Sequence, residues 1–192
     1  MSSHRIVIDG NIGSGKTTQL KLFEKKGVSV QCEPIQEWPL EKFYSDKSRW
    51  AFLLQMTILK SFIVNEADIW ERSPESSKEV FWKMLRNKGI GTDEENDVYE
   101  FFYTQNAWTP DIHVYIRTSP EECYKRITDR CQEGDAKISL QYLQEVHKYY
   151  EEYICNRNSS IIIIDGNQTP EKIQDDIRNA TMFWDDTERF EV

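Results

Sequence analysis

Near its beginning the sequence reads Arg5-Ile6-Val7-Ile8-Asp9, followed directly by Gly10-Asn11-Ile12-Gly13-Ser14-Gly15-Lys16-Thr17. The apolar run predicts a buried strand, and the next eight residues fit the G-x-x-x-x-G-K-[ST] pattern of a phosphate-binding loop. The glycines let successive backbone N–H groups turn towards an anion, and the helix predicted over residues 16–26 adds its positive end. The lysine of such a loop reaches the outer phosphates, and the threonine hydroxyl helps to hold Mg²⁺. A glycine-rich turn without a ligand is the alternative, which eight positions in register disfavour.

The composition limits the class of protein. With 192 residues, of which 39% are hydrophobic, residues 1–192 suit a single domain with its own core. The formal net charge of -9 argues against a nucleic-acid partner, and the four cysteines lack metal-ligand spacing. No targeting segment and no apolar run of membrane-spanning length is visible, so we expect a soluble, cytoplasmic protein without a membrane partner.

Strand and helix patterns alternate along the chain. After the first strand and helix, strands are predicted at residues 28–32, 67–70, 112–116 and 160–164. Helices are predicted at residues 49–65, 76–86, 94–107, 140–155 and 169–184, with a further helix opening at Ser119-Pro120. This alternation indicates an α/β fold with a parallel sheet, since right-handed crossovers place helices on both faces.

Two predicted strands end in charged residues. Glu33 precedes Pro34, which disfavours helix at Glu33 and places its carboxylate at the carboxyl end of the second strand. The third strand runs into Glu71-Arg72-Ser73, which should meet the phosphate loop. Ligands bind at this edge of an open parallel sheet, and an acid beside an arginine suits phosphoryl transfer. An exposed ion pair at a strand end is the alternative.

Two further features each allow two interpretations. Gln55 lies among apolar residues of the helix predicted at 49–65, either as a ligand-binding amide or as a core side chain with satisfied hydrogen bonds. Arg126 and Arg130 lie four residues apart, ahead of a polar break at residues 132–135. They indicate either a short lid at about residues 126–138 that closes over phosphates or a solvated helix face.

Taken together, these motifs resemble the deoxyribonucleoside kinase family over nearly the whole chain. The resemblance also includes the segments at residues 33–38, 43–44, 49–55 and 120–123. It implies a P-loop NTPase-like three-layer sandwich with a five-stranded parallel sheet. It also implies transfer of the γ-phosphate of ATP to the 5'-hydroxyl of a deoxynucleoside, and a homodimer formed through the helices at residues 49–65 and 94–107.

The resemblance assigns catalytic and ATP-binding roles. Glu33 resembles the base that faces the 5'-hydroxyl, and Arg72 resembles the residue that stabilises charge during transfer. Glu71 and Thr17 resemble the Mg²⁺-holding pair. The ATP-binding positions are Gly10, Asn11, Ile12, Gly13, Ser14, Gly15, Lys16, Thr17, Thr18, the lid residues Arg126 and Arg130, and the adenine-loop residues Gln168, Thr169 and Pro170.

The resemblance also outlines the nucleoside site. Gln55 matches an amide that pairs with a pyrimidine edge, where its donor and acceptor face the base. Tyr44 and Asp135 match residues that grip the 3'-hydroxyl and crowd out a 2'-hydroxyl. The walls of the base pocket are expected to be Ile12, Trp38, Leu40, Phe43, Leu54 and Phe81.

Some positions depart from the family pattern. Deoxycytidine kinase has an arginine and an aspartate that bracket the base. This chain has Phe62 and Ser77 at the matching positions, and both are expected to contact the substrate. Loss of that charged pair and the small size of Ser77 predict a pyrimidine-leaning kinase, with thymidine as first candidate and broad specificity. Gln132 replaces a usual lid arginine, so ATP binding is expected to depend more on Arg126 and Arg130.

Two alternative functions share parts of this sequence pattern. Thymidylate kinase is also a phosphate-loop enzyme, but it tends to have arginine where this chain has Cys32, which cannot neutralise a substrate phosphate. A non-catalytic structural member of the fold is the second alternative. The presence of Lys16, Thr17, Glu33, Glu71 and Arg72 argues against it.

Overall fold

The computed structural model describes residues 5–63, 66–130, 137–157 and 160–181. Its centre is a five-stranded sheet in the order β2-β3-β1-β4-β5, and every pairing is parallel. The strands are β1 (Ile6–Gly10), β2 (Val30–Gln31), β3 (Ile69–Glu71), β4 (Ile112–Arg117) and β5 (Ile162–Asp165). The predicted α/β sheet architecture is therefore confirmed.

Helices connect the strands. They are α1 (Lys16–Glu24), α2 (Leu40–Ser45), α3 (Lys47–Ser61), α4 (Pro74–Ser76), α5 (Lys83–Asn87), α6 (Asp93–Asn106), α7 (Pro120–Arg130), α8 (Leu140–Asn156) and α9 (Pro170–Thr181). A 3₁₀ turn covers Ile35–Glu37, and a π-helical segment, Ser77–Trp82, joins α4 to α5. Within the described part of the chain, no helix has the length and apolar character needed to cross a membrane.

Helices cover both faces of the sheet. Successive side chains of a strand point to opposite faces, so the apolar strands present apolar side chains on both faces. On one face, apolar residues of β1 pack against α1 and α9. Val7 and Trp70 on the other face pack against α3, and Tyr115 of β4 packs against α8. The sheet is therefore the middle layer of three. Its carboxyl edge lies where α1 begins after the phosphate loop.

Several predicted boundaries were wrong. Helix α3 begins earlier than predicted because the Asp46 carboxylate caps it, accepting a hydrogen bond from the Arg49 backbone N–H at 3.1 Å. The helix predicted at residues 76–86 starts at Pro74, where Ser73 and Ser76 form a capping box. The 3₁₀ turn and α2 were not predicted, since short helices carry little periodic signal.

The π-helical segment was also absent from the prediction. π-helical turns are rare and often lie at functional sites. Ser77 and Phe81, both in this segment, line a cavity at the carboxyl edge of the sheet, which is called the main cavity. Val80 is fully buried in the core. Hydrophobic spacing alone does not distinguish this widened turn from an ordinary α-helix.

The phosphate loop packs closely against α7. Gly13 has a φ of +81°, and a Cβ at this position would lie 2.6 Å from the Cys123 carbonyl oxygen and 2.9 Å from Ile127. Only glycine accepts both the left-handed backbone and this approach. Gly27, after α1, has a similar φ of +86° but no atom within 4 Å of its Cβ position.

These two glycines allow a matched stability test. We expect Gly27→Ala to lower the free energy of unfolding by about 1–2 kcal/mol, the cost of a left-handed alanine. Gly13→Ala should lower the free energy of unfolding by about 1–3 kcal/mol more, because its methyl group also collides with backbone atoms. Urea unfolding of both variants measures the difference. Equal losses would show that the contact with α7 imposes no steric constraint.

Candidate active site

The main cavity opens at the carboxyl edge of the sheet and has a volume of about 370 Å³. The phosphate loop and the start of α1 form one end, and the strand tips carrying Glu33, Glu71 and Arg72 lie beside them. Residues of α2, α3 and the π-helical segment form the other end. The side chains that the sequence placed at separate strand ends therefore line one space.

Polar contacts connect the phosphate loop with the end of β3. The Thr17 hydroxyl donates a hydrogen bond to Glu71 Oε1 at 2.8 Å, and Lys16 Nζ lies 3.9 Å from the same oxygen. Lys16 Nζ also donates to the Asn11 carbonyl oxygen at 2.9 Å. Burial, followed by the nearby Arg72 charge, lowers the pKa of Lys16, although Glu71 and Glu33 oppose this shift.

The donor set at Thr17 and Glu71 fits Mg²⁺. A hydroxyl oxygen and a carboxylate oxygen in contact are hard ligands of the kind that this ion prefers. Mg²⁺ usually keeps several waters and is held by one or two protein groups plus phosphates. Thr17 and Glu71 would therefore hold the ion together with a bound polyphosphate.

Arg72 and Glu33 form the closest ion pair of the site. Arg72 Nε donates to Glu33 Oε1 at 2.6 Å, and the two side chains are 4% and 10% exposed. Burial raises the pKa of the Glu33 carboxyl; Arg72 opposes this effect, and Glu71 adds to it. Burial alone would lower the pKa of Arg72, but Glu33 and other acidic groups raise it, so the guanidinium remains charged.

The backbone of Arg72 is strained. Its φ of +67° is the only positive value at a non-glycine residue in the described part of the chain. A conformation of this kind costs about 1–3 kcal/mol and persists where surrounding contacts impose it. The Arg72 N–H bonds to the Ile8 carbonyl oxygen at 3.1 Å, and Ser73 immediately caps the next helix.

The end of the cavity formed by α2, α3 and the π-helical segment is mainly apolar. Gln55 of α3 is 3% exposed, and its Oε1 atom has no hydrogen-bond partner among the described residues. A buried unpaired amide oxygen is costly, which favours the ligand-binding interpretation over a satisfied core glutamine. The predicted walls of the base pocket also line this cavity, namely Ile12, Trp38, Leu40, Phe43, Leu54 and Phe81. Tyr44 and Ser77 line it as well.

Phe62 does not belong to this set. It is 5% exposed at the end of α3 and packs against Trp70 and Trp108, with ring centroids 6.2 and 6.1 Å away. The prediction of Phe62 as a substrate-contacting residue is corrected, because the end of α3 turns into the core there. Asp135 and Gln132 lie outside the described residues, as does part of the predicted lid.

Arg126 links the phosphate loop to the turn after β5. Its Nη1 donates to the Ser14 carbonyl oxygen at 3.3 Å, and its Nη2 donates to the Gly166 carbonyl oxygen at 2.9 Å. Arg126 therefore contacts the phosphate loop, and both Arg126 and Arg130 line the main cavity. A second cavity lies beside them, lined by Thr18, Gln168, Thr169 and Pro170 among other residues.

The structure adds residues that sequence reasoning missed. Ile58, Met84, Leu85, Ile138 and Tyr142 line the main cavity. Their apolar character resembles that of any core residue, so the sequence contained no signal to select them. Asp9 is different, since an acid inside an apolar strand was a visible sign of a buried polar contact.

Known proteins are similar to this chain over most of its length. A family model for deoxynucleoside kinases matches residues 6–184. Mitochondrial thymidine kinase 2 of Homo sapiens is 29% identical over 192 residues, covering 88% of this chain and 72% of the relative. The deoxyadenosine/deoxycytidine kinase of Bacillus subtilis is 29% identical over 173 residues, covering 82% and 80%.

A solved structure shows the same fold. Deoxyadenosine kinase from M. mycoides with bound dCTP superimposes with a TM-score of 0.81 and 23% identity, covering 93% of this chain and 98% of that chain. The family match spans nearly all of the sequence and includes every strand described above. The chain therefore belongs to the deoxynucleoside kinase family of ATP-dependent phosphotransferases.

Proposed function

We propose that this kinase transfers the γ-phosphate of ATP to the 5'-hydroxyl of a pyrimidine deoxynucleoside, with thymidine as the first candidate and broad specificity. The observation that carries the proposal is the buried Glu33–Arg72 pair, 2.6 Å apart, between a phosphate loop and an apolar cavity. The cavity volume of about 370 Å³ lies within the usual range for small-molecule sites.

ATP would bind with its phosphates over the backbone N–H groups of residues 10–17. Lys16 would reach the outer phosphates, and Arg126 and Arg130 would contact them from the cavity side. The second cavity, with Gln168, Thr169 and Pro170, supports an adenine position next to this loop. When bound by Thr17 and Glu71, Mg²⁺ would neutralise charge on the phosphate oxygens.

Glu33 would act on the attacking 5'-hydroxyl, and Arg72 would act on the phosphoryl group in transfer. The carboxylate of Glu33 would accept the hydrogen bond of the 5'-hydroxyl and align its oxygen with the γ-phosphorus. The guanidinium of Arg72 would stabilise negative charge on the group in transfer. Their contact in this structure holds both side chains at the cavity before substrate enters.

The base would lie against α3 and the π-helical segment. The unpaired Gln55 amide oxygen supports pairing with a pyrimidine edge, since a Gln side chain carries both a donor and an acceptor. Tyr44 at the cavity wall supports a contact to the sugar. The small Ser77 side chain supports space for a 5-methyl group.

The proposal includes a homodimer. Leu53 of α3 and Val98, Phe101 and Phe102 of α6 are exposed, with Phe101 61% exposed. Apolar groups on two helices in the regions predicted for dimerisation support this partner. The cytoplasmic location stays a prediction.

Glu33→Gln tests the proposed reaction. The amide keeps the side-chain volume but cannot accept a proton, so we expect kcat for thymidine phosphorylation to fall about 10²-fold or more. ATP binding, measured with a fluorescent ATP analogue, should persist. Glu37→Gln is the control, since this exposed carboxylate lies on the 3₁₀ turn that follows Glu33. Normal turnover by Glu33→Gln would refute the assignment.

The pH profile supplies a second readout for Glu33. Because the folded pKa is raised above 4.5 and the ionised form is the active one, kcat/KM should fall as pH drops through a value above 4.5. The loss thus begins at higher pH than for a free glutamate. A parent profile without this acidic limb would contradict the role of the carboxylate.

Ser77→Asp tests the base preference. A carboxylate at this position can accept a hydrogen bond from the cytosine amino group and repels the thymine carbonyl oxygen. We expect the ratio of kcat/KM for deoxycytidine to that for thymidine to rise about tenfold, equivalent to about 1.4 kcal/mol. Ser77→Asn is the control for size without charge. An unchanged ratio in Ser77→Asp would contradict the proposed base position.

A coupled assay of ADP release separates the proposed reaction from its alternatives. Thymidine should support turnover, whereas thymidine monophosphate should not. Turnover only with the monophosphate would identify a nucleoside monophosphate kinase. No turnover with any of the four natural deoxynucleosides would favour a structural member of the fold.

Light scattering after size-exclusion chromatography tests the dimer. The parent should elute as a dimer, and Phe101→Glu should elute as a monomer, because a carboxylate would be buried without a partner at the interface. Tyr124→Glu is the control, since Tyr124 of α7 is also exposed but lies outside α3 and α6. A monomeric parent would refute the dimer.

A further inference from the structure

A continuous chain of polar side chains runs from the cavity into the protein. It consists of Glu33, Arg72, Tyr150, Asp9, His113 and Arg157. Arg72 Nη1 donates to the Tyr150 hydroxyl, which donates to Asp9 Oδ1 at 2.8 Å. Asp9 Oδ2 lies 3.0 Å from His113 Nε2, and His113 Nδ1 contacts Arg157 Nη1. Of these six residues, the proposed phosphoryl transfer uses only Glu33 and Arg72.

The chemistry of the end groups determines the direction of every hydrogen bond. Arg157 can only donate, so the His113 Nδ1 atom that faces it accepts, and the proton is on Nε2. His113 therefore donates to Asp9, whose carboxylate only accepts. Tyr150 must then donate to Asp9, which leaves its oxygen lone pairs to accept from Arg72.

The charges agree with this arrangement. Burial would raise the pKa of Asp9, but the hydrogen bond from His113 and the charge of Arg72 lower it, so the carboxylate is ionised. Burial raises the pKa of Tyr150 well above its ordinary value, and Asp9 adds to this effect while Arg72 opposes it. Tyr150 therefore remains a neutral hydroxyl between a carboxylate and a guanidinium.

Tyr150 limits the orientation of Arg72. The Nε atom of Arg72 is engaged by Glu33, and its Nη1 atom by Tyr150 and by the Gly10 carbonyl oxygen at 3.0 Å. Among the described residues no hydrogen bond uses Nη2, and the Phe81 ring lies 4.6 Å from the guanidinium carbon. Three hydrogen bonds, made by Nε and Nη1, therefore hold the planar guanidinium group. The Nη2 atom is left for a ligand.

We propose that Tyr150, held by Asp9, is a positioning residue that orients the Arg72 guanidinium for phosphoryl transfer. Tyr150 is fully buried and is not among the described residues that line the cavity, so it acts through Arg72 and not on substrate. His113 and Arg157 hold the Asp9 carboxylate in turn. This inference rests on the catalytic role proposed for Arg72.

Tyr150→Phe removes the hydroxyl and keeps the ring. We expect kcat to fall about tenfold while KM for ATP and for thymidine changes less than about twofold, because orientation matters most in the transition state. Tyr115→Phe is the matched control. The Tyr115 ring stacks on Tyr150 at a centroid distance of 5.5 Å, and its hydroxyl bonds Glu151 at 3.1 Å, without contact to Arg72. Tyr115→Phe should keep parental kcat.

A double-mutant cycle with Arg72→Lys separates positioning from a general structural effect. Lysine lacks the fork that Tyr150 orients, so Tyr150→Phe should change kcat less than about twofold in the Arg72→Lys background. An equal fold-loss in both backgrounds would overturn the proposal, as would parental kcat in Tyr150→Phe alone. Parental kcat in Arg72→Lys would overturn the catalytic role of Arg72 itself. Circular dichroism and thermal unfolding confirm that each variant is folded.

Discussion

The buried ion pair between Arg72 and Glu33 is the interaction on which the site depends. Removing two charges from water is expensive, and such a pair persists only when further hydrogen bonds satisfy the remaining donors and acceptors. The Nη1 atom of Arg72 meets this condition through the Gly10 carbonyl oxygen and Tyr150. The need to satisfy one buried guanidinium thus explains why polar groups extend deep behind the cavity.

The order of the strands makes this pairing possible. Because β3 lies beside β1, the Arg72 N–H donates to the Ile8 carbonyl oxygen, close to the start of the phosphate loop. For the same reason the Thr17 hydroxyl can donate to Glu71. The left-handed backbone of Arg72 then turns the chain from the strand into the Ser73 capping box. The strain is local and is offset by contacts on both sides, which is the usual situation for strained residues at functional sites.

The two halves of the cavity differ in how they are built. The phosphate-binding half comes from one short stretch, in which a strand, a glycine-rich loop and a helix start follow one another. The opposite half comes from α2, α3 and the π-helical segment, and its character is mainly apolar. Polar groups in that half are few, so under the proposed function Gln55 and Ser77 would have a large influence on which base is accepted.

The sequence by itself determined the parallel α/β architecture and the phosphate loop, because these follow from local order and from hydrophobic periodicity. The family followed from the resemblance of several motifs along the chain. It also identified Glu33, Glu71 and Arg72, since charged residues at the carboxyl ends of parallel strands meet at one edge of a sheet. Only the tertiary structure decided that Phe62 belongs to the core, although the resemblance placed it at a position that brackets the base in deoxycytidine kinase. Only the structure joined Tyr150 and His113 to Asp9 and Arg72, because contacts between residues 141 or 104 positions apart depend on packing and leave no periodic trace in the chain.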